Sequence, residues 1–240
     1  MLSSYSGDDS GSVVCEVAET SPAALAGATV KLNARSEMWR VVRFAEQLFA
    51  AVLALSLLPL LLVVAVAIAL LSRRSPFVAH GRVGLAGEEI WVVKVRTMWD
   101  APCRSGWPRS WVEYLRNTPV PDAKNPFDPR VTSRFAAFCR RFSIDELPQL
   151  WQVARGTMAL IGPRPLTALE LERFYGLSAH TILQVKPGIT GLWQVRGRGR
   201  LTYRQRRRLD LFMLKNWSFR LYVRILFASV PVSLSGKNAF

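Results

Sequence analysis

The sequence predicts an α+β fold, mostly helical, built from a re-entrant membrane helix, interfacial amphipathic helices and a small strand-containing region. Three observations carry this. Residues 48–71 read LFAAVLALSLLPLLLVVAVAIALL without a charge. Residues 77–98 hold β-branched runs punctuated by Gly81, Gly84 and Gly87. The C-terminal part alternates arginines with large apolar residues at helical spacing.

Residues 1–38 are rich in Ser, Gly, Ala and Thr and show no sustained period, which predicts a disordered leader. They hold Asp8, Asp9, Glu16, Glu19 and Glu37 against Lys31 and Arg35, so the formal charge of +15 belongs to the rest of the chain. An acidic start with a late apolar stretch does not fit a signal peptide. A body this basic seeks anions: nucleic acid, an anionic membrane or phosphorylated substrates. Cys15, Cys103 and Cys139 are far apart, and with two histidines they give no zinc-site spacing.

The apolar run spans about two dozen residues, and roughly 20 cross a bilayer as a helix. Arg40 and Arg43 precede it; Arg73, Arg74 and Arg82 follow it. Positive charge marks the cytoplasmic side, and here both ends carry it. Pro59 in the middle removes a backbone hydrogen bond and favours a bend. A helix over 39–74 that enters, bends near Pro59 and returns to the same face satisfies both facts. A single tilted span with a proline kink is the alternative.

Residues 75–240 form the remaining domain. Ile90–Val95 (IWVVKV) suits a strand. Residues 99–130, rich in Pro, Asp and Asn, predict a long irregular loop. Residues 131–156 read as helical, 167–184 contain a further helix, and 203–226 form a basic amphipathic helix that either lies in the membrane interface or packs on the core.

Four clusters carry candidate chemistry. The densest is Arg140-Arg141-Phe142-Ser143-Ile144-Asp145-Glu146, two adjacent carboxylates behind two arginines. One carboxylate can attack phosphorus while the other assists with a metal or a proton; a solvated helix face is the bland reading. Gly162-Pro163-Arg164-Pro165 stiffens the backbone around one guanidinium, a device for gripping phosphate or a simple rigid turn. Lys186–Arg198 combines glycines, a proline and cations in a backbone able to approach a ligand closely, with Trp193 as a platform for a base, a sugar or a lipid chain; a lipid-headgroup loop is the alternative. Lys94 and Arg96 sit at the end of a predicted strand, a common place for a binding cation. No P-loop, dinucleotide GxGxxG, GxSxG or HExxH pattern is present.

In order and spacing, the runs KVRTM (94–98), SIDELPQLWQVARGTMALIGPRPL (143–166), VKPGITGLWQVRGR (185–198) and LDLFMLKNWSFRLYVRILFASVPVSLSG (209–236) resemble the bacterial sugar transferase family, the monotopic polyprenyl-phosphate phosphoglycosyltransferases. The likeness runs from about Phe44 to the C-terminus. It implies a catalytic region in which Asp145 attacks the β-phosphate of a UDP-sugar and expels UMP, and undecaprenyl phosphate then takes the sugar phosphate. Glu146 is the partner carboxylate, and Mg²⁺, held by Asp145 and Glu146, is the implied cofactor. Arg140, Arg164 and Arg198 match phosphate-handling arginines, Lys94 and Arg96 join the substrate-binding set, and Asp210 matches a further acidic position placed with it. Pro59, Pro163 and Pro165 are structural at the site. The resemblance is to the small form that starts exopolysaccharide, capsule or O-antigen synthesis, with glucose or galactose as the sugar. It places the enzyme at the cytoplasmic face of the bacterial inner membrane among its lipids, with no nucleic-acid partner; a homodimer is compatible with it.

Three positions depart from the family pattern. Leu58, not Ser, precedes the proline, and the nearest hydroxyl is Ser56. Gly156-Thr157-Met158-Ala159 stands where the family has GDMS, so an acid is lost. Arg196-Gly197-Arg198-Gly199-Arg200 is more basic than the usual ending. The rival expectations are an inactive scaffold of the same family and a membrane-anchored basic module that binds anionic lipid or nucleic acid.

Overall fold

The structure, a computed structural model, describes residues 37–99, 110–116, 133–197 and 200–235. The leader before residue 37 and Arg198 lie outside them.

Helix α1 (Glu37–Ser72) is unbroken through Pro59. Its alanine- and leucine-rich sequence favours helix, and at 1.5 Å per residue it extends about 54 Å, longer than a hydrocarbon core of about 30 Å. Pro59 lacks the N–H that would meet the carbonyl four residues back, that of Leu55. The Ser56 hydroxyl does not replace it but donates to the Val52 carbonyl at 2.8 Å. Only 17% of the most apolar window of α1 is buried inside the protein, so most of that surface needs another apolar cover.

One side of α1 nevertheless packs along its length. Trp39 and Ala50 join the main core with Leu150, Met158, Leu160, Met213, Tyr222 and Ile225. Val64 and Ile68 join a smaller cluster with Val95, Trp99, Ala136 and Cys139. Glu46 fixes the register, since one of its carboxylate oxygens accepts from the Leu160 N–H and from the Tyr222 hydroxyl.

Strands β1 (Phe77–Val83) and β2 (Glu89–Val95) pair antiparallel, with Phe77 opposite Val95 and Arg82 opposite Ile90. Ala86 and Gly87 take positive φ in the turn between them. Strand β3 (Val112–Leu115) adds to β1 in parallel, giving the order β2-β1-β3. The expectation of an unbroken irregular loop over 99–130 is thus corrected at 112–115.

The stretch expected to be helical over 131–156 is two helices. Helix α2 (Arg134–Arg141) starts on a Ser133 cap and ends at Phe142; α3 (Gln149–Ala154) starts after Pro148. Between them Ser143 adopts φ +58°, and Ile144–Glu146 form a 3₁₀ turn. Strand β4 (Ala159–Ile161) pairs in parallel with β5 (Gly188–Thr190). Between these strands run α4 (Ala168–Glu170), a π-turn over Leu171–Tyr175, and α5 (Ala179–Ile182).

Helix α6 (Leu192–Arg196) follows β5. The single helix expected over 203–226 is α7 (Tyr203–Lys215) and α8 (Phe219–Ser235). Asn216 closes the first by donating to the Phe212 carbonyl, and the Ser218 hydroxyl accepts from the Leu221 N–H at the start of the second. The resulting corner puts Trp217 and Tyr222 against Trp39, with ring centroids 5.6 and 6.1 Å away.

Candidate active site

The chain reversal at Ser143 presents Asp145 and Glu146 side by side on the 3₁₀ turn rather than along a helix face. Strand β2 delivers Lys94 to them. Its ammonium donates to Glu146 Oε1 at 2.7 Å, and the Arg164 guanidinium approaches the same oxygen more loosely, at 3.4 Å. The spacing between strand and turn is set by a residue that sequence reasoning missed. The side-chain amide of Gln152, on α3, donates to the Trp91 carbonyl at 2.6 Å and accepts from the Val93 N–H at 3.0 Å. It satisfies two backbone groups of β2 as a neighbouring strand would, and so fastens α3 to the edge of β2.

Electrostatics single out Asp145. Burial raises its pKa to about 6; Lys94 opposes this most strongly, Glu146 adds to it, and Arg140 and Arg164 oppose it. Burial in turn lowers the pKa of Lys94, against the attraction of Glu146. Arg140 Nε is buried and has no hydrogen-bond partner among the described residues, a donor near the carboxylates.

Arg164 is held by backbone. Gly162 N–H donates to the Thr190 carbonyl at 2.9 Å, Gly188 N–H to the Pro163 carbonyl at 2.8 Å, and Val83 N–H to the Leu166 carbonyl at 2.8 Å. The two loops approach so closely that a Cβ on Gly188 would lie 2.1 Å from Gly162 N, and one on Gly191 would lie 2.5 Å from Gly162 O. These glycines therefore serve loop against loop, not loop against ligand as the sequence suggested. Pro163 and Pro165 are buried on either side, while the Arg164 side chain stays 34% exposed.

Trp193 is corrected as well. It is buried, and the Arg206 guanidinium lies over its ring at 4.8 Å and over Tyr203 at the same distance. Arg96 is engaged elsewhere, with its Nε on the Ser75 carbonyl and its guanidinium paired to Glu113. Asp210 is 1% exposed and accepts from the Tyr175 hydroxyl at 2.9 Å; burial raises its pKa to about 7, against Tyr175 and Arg206. Beside it Glu170 binds Arg82 at 2.7 Å and the Tyr203 hydroxyl at 3.0 Å. Arg82 and Glu170 had no motif to reveal them. Thr157, where the family has an acid, closes α3 instead: its hydroxyl donates to the Gln152 carbonyl at 3.0 Å.

Among the described residues no group of three or more His, Cys, Asp or Glu side chains could hold a metal. Asp145 and Glu146 alone are a pair of hard oxygen donors. That fits Mg²⁺, which is bound by one or two carboxylates with phosphate oxygens and water completing its shell. Two carboxylates, one of raised pKa, ringed by Lys94, Arg140 and Arg164, suit nucleophilic displacement at a phosphate.

A family model described as bacterial sugar transferase matches residues 37–236. The chain is 39% identical over 207 residues to a UDP-galactose-lipid carrier transferase of Erwinia amylovora, covering 82% of this chain and 42% of that protein. It is 34% identical to the exopolysaccharide production protein ExoY of Sinorhizobium fredii, covering 79% and 84%. It is also 34% identical to a UDP-glucose:undecaprenyl-phosphate glucose-1-phosphate transferase of Xanthomonas campestris pv. campestris, covering 81% and 39%. The chain spans less than half the length of the Erwinia and Xanthomonas relatives.

Proposed function

Because the chain belongs to the bacterial sugar transferase family, we propose that it moves a hexose 1-phosphate, glucose or galactose, from a UDP-sugar to undecaprenyl phosphate and releases UMP. The observation that carries the reading is Asp145 beside Glu146 on one turn, with Lys94 and Arg164 converging on the pair.

An Asp145 carboxylate oxygen attacks the β-phosphorus of the donor. The bond from that phosphorus to the bridging oxygen breaks, UMP departs, and the sugar phosphate remains on Asp145 as an acyl phosphate. A phosphate oxygen of undecaprenyl phosphate then attacks the same phosphorus, forming the lipid diphosphate sugar and returning the carboxylate. With a pKa of about 6, Asp145 is ionised at neutral pH, as attack requires. Donor and acceptor both bring negative charge, and Lys94, Arg140 and Arg164 offset it where it develops. Mg²⁺ held by Asp145 and Glu146 supplies further neutralisation of phosphate charge when bound.

The membrane reading follows from the packing of α1. Both of its ends bury against the same folded body, Trp39 and Ala50 at one and Val64 and Ile68 at the other. A straight crossing would draw that basic body into hydrocarbon, where unpaired charge is costly. A helix entering and leaving on the cytoplasmic face leaves the body in water and brings the site to the depth of the acceptor's phosphate. The re-entrant form needs a bend near Pro59, whereas α1 is continuous there. Contact of both ends with one body favours a helix that does not cross, and with it a place at the inner membrane for the first lipid-linked step of exopolysaccharide synthesis.

The test is UMP release by purified protein in nanodiscs with undecaprenyl phosphate, Mg²⁺ and UDP-glucose or UDP-galactose. Release dependent on the lipid phosphate supports the reading; none with any UDP-sugar contradicts it.

A further inference from the structure

Helices α6, α7 and α8 enclose a groove of about 790 Å³. Arg196, Arg220 and Arg224 line it over an apolar floor of Phe212, Leu221 and Ile225. All three arginines are exposed, and none makes an ion pair or hydrogen bond with the described residues. No acidic side chain lines the groove, and α8 contains none. Three exposed guanidiniums bordering one apolar floor form a positive rim that attracts an anion.

The position of the groove selects the anion. The start of α8 packs on the first turns of α1, through Trp217 on Trp39 and through Tyr222 on Glu46. The groove residues Asn216, Ser218, Arg220 and Leu221 are thus chain neighbours of the two residues that meet α1. Beyond them α8 exposes Phe227 and Val230. Charge at one level and exposed apolar surface at the next is the profile of the headgroup boundary. The groove shares no residue with the Lys94, Asp145, Glu146 and Arg164 group.

We propose that this groove seats an anionic phospholipid, with Arg196, Arg220 and Arg224 on its phosphate and an acyl chain against Phe212, Leu221 and Ile225. The proposal rests on α1 lying in a membrane. Its consequence is selectivity for anionic lipid, separate from the insertion that α1 provides in any bilayer.

The full chain and the variant R196Q/R220Q/R224Q are placed in phosphatidylcholine nanodiscs containing a minority of phosphatidylglycerol. Lipids retained by the ejected protein are counted by native mass spectrometry. The wild type is expected to retain phosphatidylglycerol over phosphatidylcholine, and the preference to fall about fivefold per arginine removed. The single variants are read alongside, and graded losses across them support the seat without reliance on the triple variant's fold. Equal preference in wild type and variant overturns the proposal. So does release of the phosphatidylglycerol by equimolar undecaprenyl phosphate, which would make the groove the acceptor's seat. Failure of the wild type to enter pure phosphatidylcholine nanodiscs would instead overturn the membrane reading of α1.

Discussion

Lys94 donates to Glu146 across 2.7 Å, and Glu146 directly follows Asp145 on the same 3₁₀ turn. Lys94 is also the strongest force holding the Asp145 pKa down against burial. Lys94→Met is therefore expected to raise that pKa. The acid limb of the kcat/KM profile, centred near pH 6 in the wild type, moves to higher pH, so activity at pH 6.5 drops more than activity at pH 8.5. A uniform loss at all pH values would mean that Lys94 acts on substrate alone.

Gly188 lies against Gly162 with no space for a methyl group, and this contact holds the loop of Arg164. Gly188→Ala should cost about 1–3 kcal/mol, the scale of overpacking, and should raise KM for the UDP-sugar as Arg164 shifts. Thermal unfolding in detergent and initial-rate kinetics check both. An unchanged melting temperature would show that the loops are not clasped.

Asp210 gives stability a pH dependence. Its folded pKa of about 7 stands above the ordinary 3.8. Between these values the folded state holds a proton that the unfolded state has lost, so stability falls as pH rises from about 4 to about 7 and levels off beyond. Asp210→Asn cannot lose a proton, so the variant should match the wild type near pH 4 and exceed it at pH 8. Melting curves that stay parallel across this range would contradict the buried, protonatable carboxyl.

Glu46 ties α1 to β4 and α8. Glu46→Ala leaves the Leu160 N–H and the Tyr222 hydroxyl without their acceptor, a loss of about 1–3 kcal/mol for each buried group. Glu46→Gln keeps one acceptor oxygen and should recover most of it. Equal melting temperatures for the two variants would remove the hydrogen bonds from the account.

Much of this was legible in the sequence where signals are long or local. The apolar run forms a helix, though a continuous one without the expected bend at Pro59, and the β-branched Ile90–Val95 forms a strand. Asp145, Glu146, Lys94 and Arg164 meet as a group. What was not legible depends on distant partners. Strands β4 and β5 are three residues each, too short for any period, and exist because Gly162 and Gly188 allow their loops to touch. Strand β3 exists by pairing with β1. Gln152 gave no signal, since its role needs the edge of β2 beside it. The breaks at Ser143 and at Asn216–Ser218 did leave local marks, Pro148 after the first and an Asn and a Ser at the second. The helical period across them concealed both.

The most direct test of the central claim is the intact mass of the protein after incubation with Mg²⁺ and the UDP-sugar alone, without lipid acceptor. A population heavier by one sugar phosphate is expected in the wild type, discharged on adding undecaprenyl phosphate and absent in Asp145→Asn, whose UMP release falls by at least about a thousandfold. UMP release that survives in Asp145→Asn would contradict Asp145 as the nucleophile.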